Sequence, residues 1–198
     1  MGDLWKRART ISTDTKTALL DSAERAARNL GFDGFSYAHL AEDVGIRKAS
    51  IHHHFPSKAA LSVALVERYT EELRMICAEI DAAEPSANGR LTAVINRYRD
   101  ALRGGKSLCL CVSLSISRES LPREVIEQIG GFRAMIINWL TAVFELGKSD
   151  GTIAAVGEPA LEAAATLPLL EGAQLVARAE ENPKMFDRSL QLLVLRLS

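Results

Sequence analysis

Residues 36–58 read SYAHLAEDVGIRKASIHHHFPSK, and their pattern predicts two short helices joined by a tight turn. Two helices that meet at a steep angle need a small residue where they touch and a glycine where the backbone turns left-handed. Ala41 and Gly45 supply these at a spacing of four, and Leu40, Val44, Ile46 and Ile51 are apolar where the helices face a core. Arg47, Lys48, Ser50, His52 and His53 are then directed outward, with hydrogen-bonding groups that reach base edges in a DNA major groove. Ser36 is a good N-cap. Lys58 opens the next helix, where the macrodipole disfavours a cation. A DNA phosphate would relieve that charge; a solvated lysine is the alternative. Ser36 and Tyr37 begin the preceding helix in an equivalent position and could hold a phosphate in the same way. His52, His53 and His54 do not suggest a metal site, because consecutive helical side chains point about 100° apart. His54 is expected to be semi-buried near Phe55.

Working outward, nearly every segment carries helical periodicity and none alternates as a strand would. A helix over 14–30 presents Leu19, Leu20, Ala23, Ala27 and Leu30 on one face, with Gly31 as its cap. Helices are predicted over 37–43, 48–54 and 58–83, followed by a linker at 84–89. Further helices are predicted over 91–102, 122–148, 158–181 (with a kink at Pro168) and 183–197, and a short apolar segment spans 108–116. The expectation is an all-α fold of about nine helices: a three-helix helix-turn-helix head at 1–57, including an N-terminal arm at 1–13, and a larger helical domain at 58–198. Lys6, Arg7 and Arg9 make that arm either a DNA contact or a functionally silent tail.

Composition narrows the function classes. The chain has 198 residues and a net charge of −1. Residues 1–58 carry nine basic and seven acidic side chains, against 15 and 18 in the rest. That balance permits a DNA-binding head on an acidic body and argues against a sequence-neutral packaging protein. A phosphate loop, metal-ligand spacing and an ordered nucleophile are all missing, so neither an enzyme nor a cofactor is expected. No apolar run reads as a membrane span and the first residues lack a signal-peptide core, so a cytoplasmic protein without membrane contact is expected. Cys77, Cys109 and Cys111 are too few and oddly numbered for a disulfide framework.

The stretch GFDGFS at 31–36, Leu40-Ala41 and VGIRKASIHHHFPSK at 44–58 resemble the head of the TetR family of repressors. The resemblance implies a homodimer that binds double-stranded operator DNA, with a variable C-terminal domain for a small effector and dimer contacts from the last two long helices. It implies DNA contacts at Ser36, Arg47, Lys48, Ser50, His52, His53 and Lys58. His52 departs from the family's usual Tyr. The segment LCLCVSL at 108–114 followed by Leu121-Pro122 is similar to a subgroup in which some repressors sense electrophiles or oxidants through a cysteine, here Cys109.

Two control mechanisms stay open. A small apolar effector could bind among Tyr98, Cys109, Phe132, Met135, Ile136, Trp139 and Phe144, or these residues could be plain core. Alternatively Cys109, near a helix start and close to Lys106, is a reactive thiolate or a buried hydrophobe. Cys109 and Cys111 would lie roughly 200° apart on one helix and could not bridge, leaving Cys77 or the other subunit as partner. Gly172 and Ala173, with Leu190, Leu193, Val194 and Leu197, are the expected dimer face. The expected mechanism is a tilt of the 58–83 helix that changes the separation of the two heads and releases the operator.

Overall fold

The structure is a computed structural model and describes residues 15–197. The N-terminal arm with Lys6, Arg7 and Arg9 lies outside the described residues. Among the described residues there are nine α-helices: α1 (Thr15–Leu30), α2 (Tyr37–Val44), α3 (Lys48–His54), α4 (Lys58–Ala83), α5 (Ala87–Ala101), α6 (Leu110–Ser115), α7 (Arg123–Asp150), α8 (Pro159–Ala179) and α9 (Lys184–Val194). The fold is all-α, as the periodicity predicts.

Local chemistry sets the boundaries. Ser36, Ser57 and Ser86 cap α2, α4 and α5 by accepting the amides of His39, Ala60 and Gly89. Helix α5 begins at Ala87, inside the predicted linker. The Asp150 carboxylate accepts the Ala87 amide at 2.8 Å, and Arg90 donates back to the Glu84 and Asp81 carbonyls. Those contacts tie the apparent linker into the body. Helix α2 ends at Gly45 with φ +73°, and the next amide, of Ile46, donates to the Ala41 carbonyl at 2.9 Å. A Cβ on Gly45 would meet nothing within 4 Å, so the glycine is required by backbone handedness and not by space.

Leu19, Leu40, Ile51, Phe55 and Leu61 form the head's core. The body is organised around α7, which packs against α4, α5, α6 and α8. By length and mean hydropathy α7 is long and apolar enough to cross a bilayer, unlike the expectation that no such run exists. Its apolar side chains Phe132, Ile136, Leu140, Val143 and Phe144 are instead buried against neighbouring helices. Helix α8 continues through Pro168, which lies on its exposed side. Arg196 ties the chain end to α8 by donating to both Glu162 oxygens, at 2.7 and 2.9 Å.

The expected dimer face needs correction. Ala173, Leu190 and Leu193 are buried within the protomer, where α9 packs on α8. Leu197 is half-buried and its backbone pairs with Ile153, and Gly172 is partly covered. Of the six, only Val194 is exposed; the uncovered apolar side chains nearby are Leu161, Leu169, Leu175, Val176, Leu192 and Leu195. The strong periodicity of α9 marked the side facing its own core.

The seam between head and body is densely wired. Arg28 of α1 is buried and donates to the Leu108 carbonyl at 2.7 Å, the Ala101 carbonyl at 3.0 Å and Glu24 at 3.2 Å. Ser113 Oγ of α6 donates to the Ala27 carbonyl at 2.7 Å, and Arg178 of α8 donates to the carbonyls of Arg28 and Asn29. Arg68 of α4 pairs with Asp21 and Glu24. The last turn of α1, whose carbonyls a helix end leaves without partners, is thus capped by the body. We expect Gly45→Ala to lower unfolding free energy by about 1–2 kcal/mol through left-handed strain alone, measured by urea denaturation, because the site has room for the methyl group.

Candidate nucleic-acid interface and effector cavity

The turn at Gly45 directs Arg47, Lys48, Ser50, His52 and His53 to solvent, and all five are exposed. Ser36 is exposed at the start of α2. His54 is half-buried. His52 Nδ1 lies 3.4 Å from the Pro56 carbonyl and its ring meets Tyr37 edge-on at 4.9 Å. The exposed residues fan around the outer side of a short helix held by Ile51, the side chain of α3 that is fully buried.

Two predicted DNA contacts have other partners. Tyr37 is buried, and its hydroxyl donates to the Phe55 carbonyl at 2.9 Å. Burial pushes its pKa up to about 12. Its side chain therefore latches α2 to the end of α3 and does not face outward. Lys58 folds back so that Nζ donates to the Phe35 carbonyl at 2.7 Å, lying 4.4 Å and 4.3 Å from the centres of the Phe32 and Phe35 rings. Desolvation lowers its pKa, opposed by the nearby Asp33 charge. The cation at the start of α4 is satisfied internally by a carbonyl and two aromatic faces, an option that sequence position alone did not reveal.

The second site is a cavity of about 50 Å³ in the body, close to the seam. Of the predicted effector residues, only Tyr98 and Cys109 line it, together with Arg28, Tyr69, Glu72, Leu73, Ile76, Arg97, Ala101 and Gln174. Phe132, Ile136 and Phe144 are fully buried core. Phe132 backs the cavity only indirectly, packing on Tyr69 at 5.5 Å between rings. Met135 and Trp139 are half-buried, and Trp139 donates its indole N–H to Asp81 at 3.1 Å. The stripe on α7 is therefore core, because α7 is central and its apolar face is filled by neighbours. Arg28, Tyr69 and Gln174 were not foreseen: each lies far from Cys109 in sequence and lacks a motif.

Cys109 is the N-cap residue of α6, with extended backbone (φ −51°, ψ 134°). The rotation expected between two residues of one helix does not apply to it. Its amide donates to Gln174 Oε1 at 2.8 Å, while Gln174 Nε2 donates to the Tyr98 carbonyl at 2.7 Å. The Tyr69 hydroxyl donates to Cys109 Sγ at 3.6 Å. Its thiol pKa is held below the ordinary value, first by a hydrogen bond from the Cys111 thiol, then by the amide of Val112 and by Tyr69, against the opposing effect of burial. Cys111 moves the opposite way, raised by burial and by that same hydrogen bond. Lys106 is exposed and faces a separate surface depression with Arg103, so it does not supply the expected stabilisation. Burial and Asp81 push Cys77 up to about 12, leaving it a poor partner for exchange.

Comparison with known proteins agrees with this geometry. Residues 19–65 match the family described as bacterial regulatory proteins, tetR family. A TetR-family transcriptional regulator from Agrobacterium tumefaciens superimposes with a TM-score of 0.89 at 29% identity, over 94% of this chain and 98% of that one. The head thus matches the tetR family, and the chain as a whole is similar to TetR-family regulators. It is similar over 180 residues, at 26% identity, to the HTH-type transcriptional repressor NemR of Escherichia coli K12, covering 89% of this chain and 90% of the relative. The crystal structure of E. coli NemR in its reduced form shares the fold, with a TM-score of 0.81 at 24% identity over 93% and 97% of the two chains. The matched segment contains the helix-turn-helix formed by α2 and α3. Tyr37→Phe leaves the Phe55 carbonyl without its donor, and the expected loss is about 1–2 kcal/mol of stability by thermal or urea unfolding.

Proposed function

We propose that the protein is a homodimeric repressor that holds a near-palindromic operator through residues 15–57 of each subunit and releases it when Cys109 is modified. The head reads bases with Arg47, Lys48, Ser50, His52 and His53, while Ser36 and the start of α2 meet the phosphate backbone. Residues 58–198 carry control and dimerisation, with the second copy covering the exposed apolar side chains of α8 and α9. Two heads then enter successive major grooves, about 34 Å apart. The setting is the cytoplasm, where free thiols stay reduced.

The observation that carries this reading is the sulfur of Cys109 in the wall of a small cavity, donated to by Tyr69. A cavity of about 50 Å³ is far below the roughly 300–1,000 Å³ of a drug-sized ligand pocket, so a small oxidant or electrophile fits better than a bulky effector. A thiolate is the nucleophilic form of cysteine, and the surroundings of Cys109 favour it. NemR, a repressor solved in a reduced form, supports the same direction. Modification enlarges the side chain next to Gln174 and the Leu108 carbonyl that Arg28 holds, and strain there passes to α1. The modified state must bind the operator less well for release to follow.

The test is anisotropy with DNA from upstream of the protein's own gene, at fixed salt. Lys48→Ala is expected to weaken binding by about 1–3 kcal/mol. A mild thiol oxidant should weaken binding of the wild type and leave Cys109→Ser unchanged. Equal release of both proteins, or oxidised wild type that stays bound, contradicts control through Cys109. Release of Cys109→Ser by an unreactive small molecule would point to effector binding.

A further inference from the structure

Glu171 is an acid in the body that the reading above does not use. It lies on α8 one turn before Gln174, on the same face, and is only 5% exposed. Gln174 holds the Cys109 amide, so Glu171 lies one helical turn from the residue that anchors Cys109, and the two acids feel each other's charge. One carboxyl oxygen, Oε2, accepts from Arg133 of α7 at 3.1 Å; the other, Oε1, is buried without a partner. The buried Tyr98 hydroxyl, on α5, has no partner either. An ionised carboxylate offers about four lone-pair sites, and a single bond from a half-exposed arginine leaves it poorly compensated for burial. The groups facing this cluster are Arg28 of α1, Tyr69 and Glu72 of α4, Arg97 and Tyr98 of α5, Cys109 and Cys111 at α6, and Arg133 of α7.

We propose that Glu171 and Cys109 hold one proton between them, carried by Glu171 while Cys109 is a thiolate and released when Cys109 is modified. This rests on the thiol reading above and makes Glu171 a positioning residue that acts through Cys109. Burial, then the negative sulfur, raises Glu171 to about 7, with Arg133 pulling the other way. Burial and the same sulfur raise Tyr98, which keeps its phenol neutral. Two such close acids titrate as a pair. Modification removes the charge on sulfur. Glu171 then loses its electrostatic opponent, gives its proton to solvent and becomes a full ionic partner of Arg133 across the α7–α8 contact.

Proton counting during alkylation tests this. Iodoacetamide forms a carbon–sulfur bond at Cys109 and expels iodide, so a thiolate contributes no proton. In weak buffer just below neutral pH, wild type should release more protons for each Cys109 alkylated than Glu171→Gln does. Peptide mass spectrometry confirms that Cys109, and not the raised Cys77 or Cys111, has reacted. Infrared difference spectra of the wild type should lose the carbonyl band of a protonated carboxylic acid on alkylation, a readout independent of how well the variant folds. Equal proton release from both proteins, no release from wild type, or an unchanged carboxylic-acid band overturns the proposal. These outcomes are independent of operator affinity, so failure of the shared proton is distinguishable from failure of thiol control.

Discussion

The buried guanidinium of Arg28 joins the two halves of the molecule. It belongs to the first helix of the head, yet two of its three partners are carbonyls of the body, at Leu108 and Ala101. A buried charge of this kind is stable only while each donor is used. The geometry of α1 is therefore tied to the backbone that enters α6, and that backbone begins with Cys109. Arg28 also forms part of the cavity wall beside the thiol. Head position and thiol chemistry share one side chain.

This arrangement changes how a signal would travel. A tilt of the long α4 is the intuitive route, since α4 follows the head directly in the chain and pairs with α1 through Arg68. The structure adds a shorter one. Helix α6 packs on α1, Ser113 caps the Ala27 carbonyl, and Arg178 holds the carbonyls of Arg28 and Asn29. Strain at the N-cap of a six-residue helix has little room to dissipate before it meets these bonds, because close-packed interiors transmit displacement. Both routes end on α1, which packs on α2, and α2 in turn packs on α3.

Much of this was legible in the sequence, for physical reasons specific to each element. Helix periods and serine caps are local, so the number and order of helices followed from them, and Gly45 marked a left-handed turn that few other residues tolerate. The outward set Arg47, Lys48, Ser50, His52 and His53 followed from the same register. Tyr37 and Lys58 did not, because a polar group near a helix start satisfies itself on a nearby carbonyl as readily as on a phosphate. The apolar stripe of α7 was indistinguishable from a pocket until its neighbours were in place. Leu190 and Leu193 illustrate the same limit: periodicity identifies a buried face without saying whether that face is covered by its own chain or by a second copy. Gln174 and Glu171 were silent in sequence because their roles arise from one buried face of α8 meeting a thiol more than sixty residues away, as the 65-residue separation of Gln174 from Cys109 shows.

Under the proposed control, chemistry at Cys109 loosens the C-terminal turn of α1. Hydrogen–deuterium exchange of the wild-type protein, with and without alkylation of Cys109, measures this directly. Faster exchange is expected in the peptide covering residues 24–31, where Gly31 donates to the Ala27 carbonyl, with α9 unchanged. Unaltered exchange there, with changes confined to the middle of α4, would contradict coupling through Arg28 and Ser113 and favour a simple tilt of the long helix.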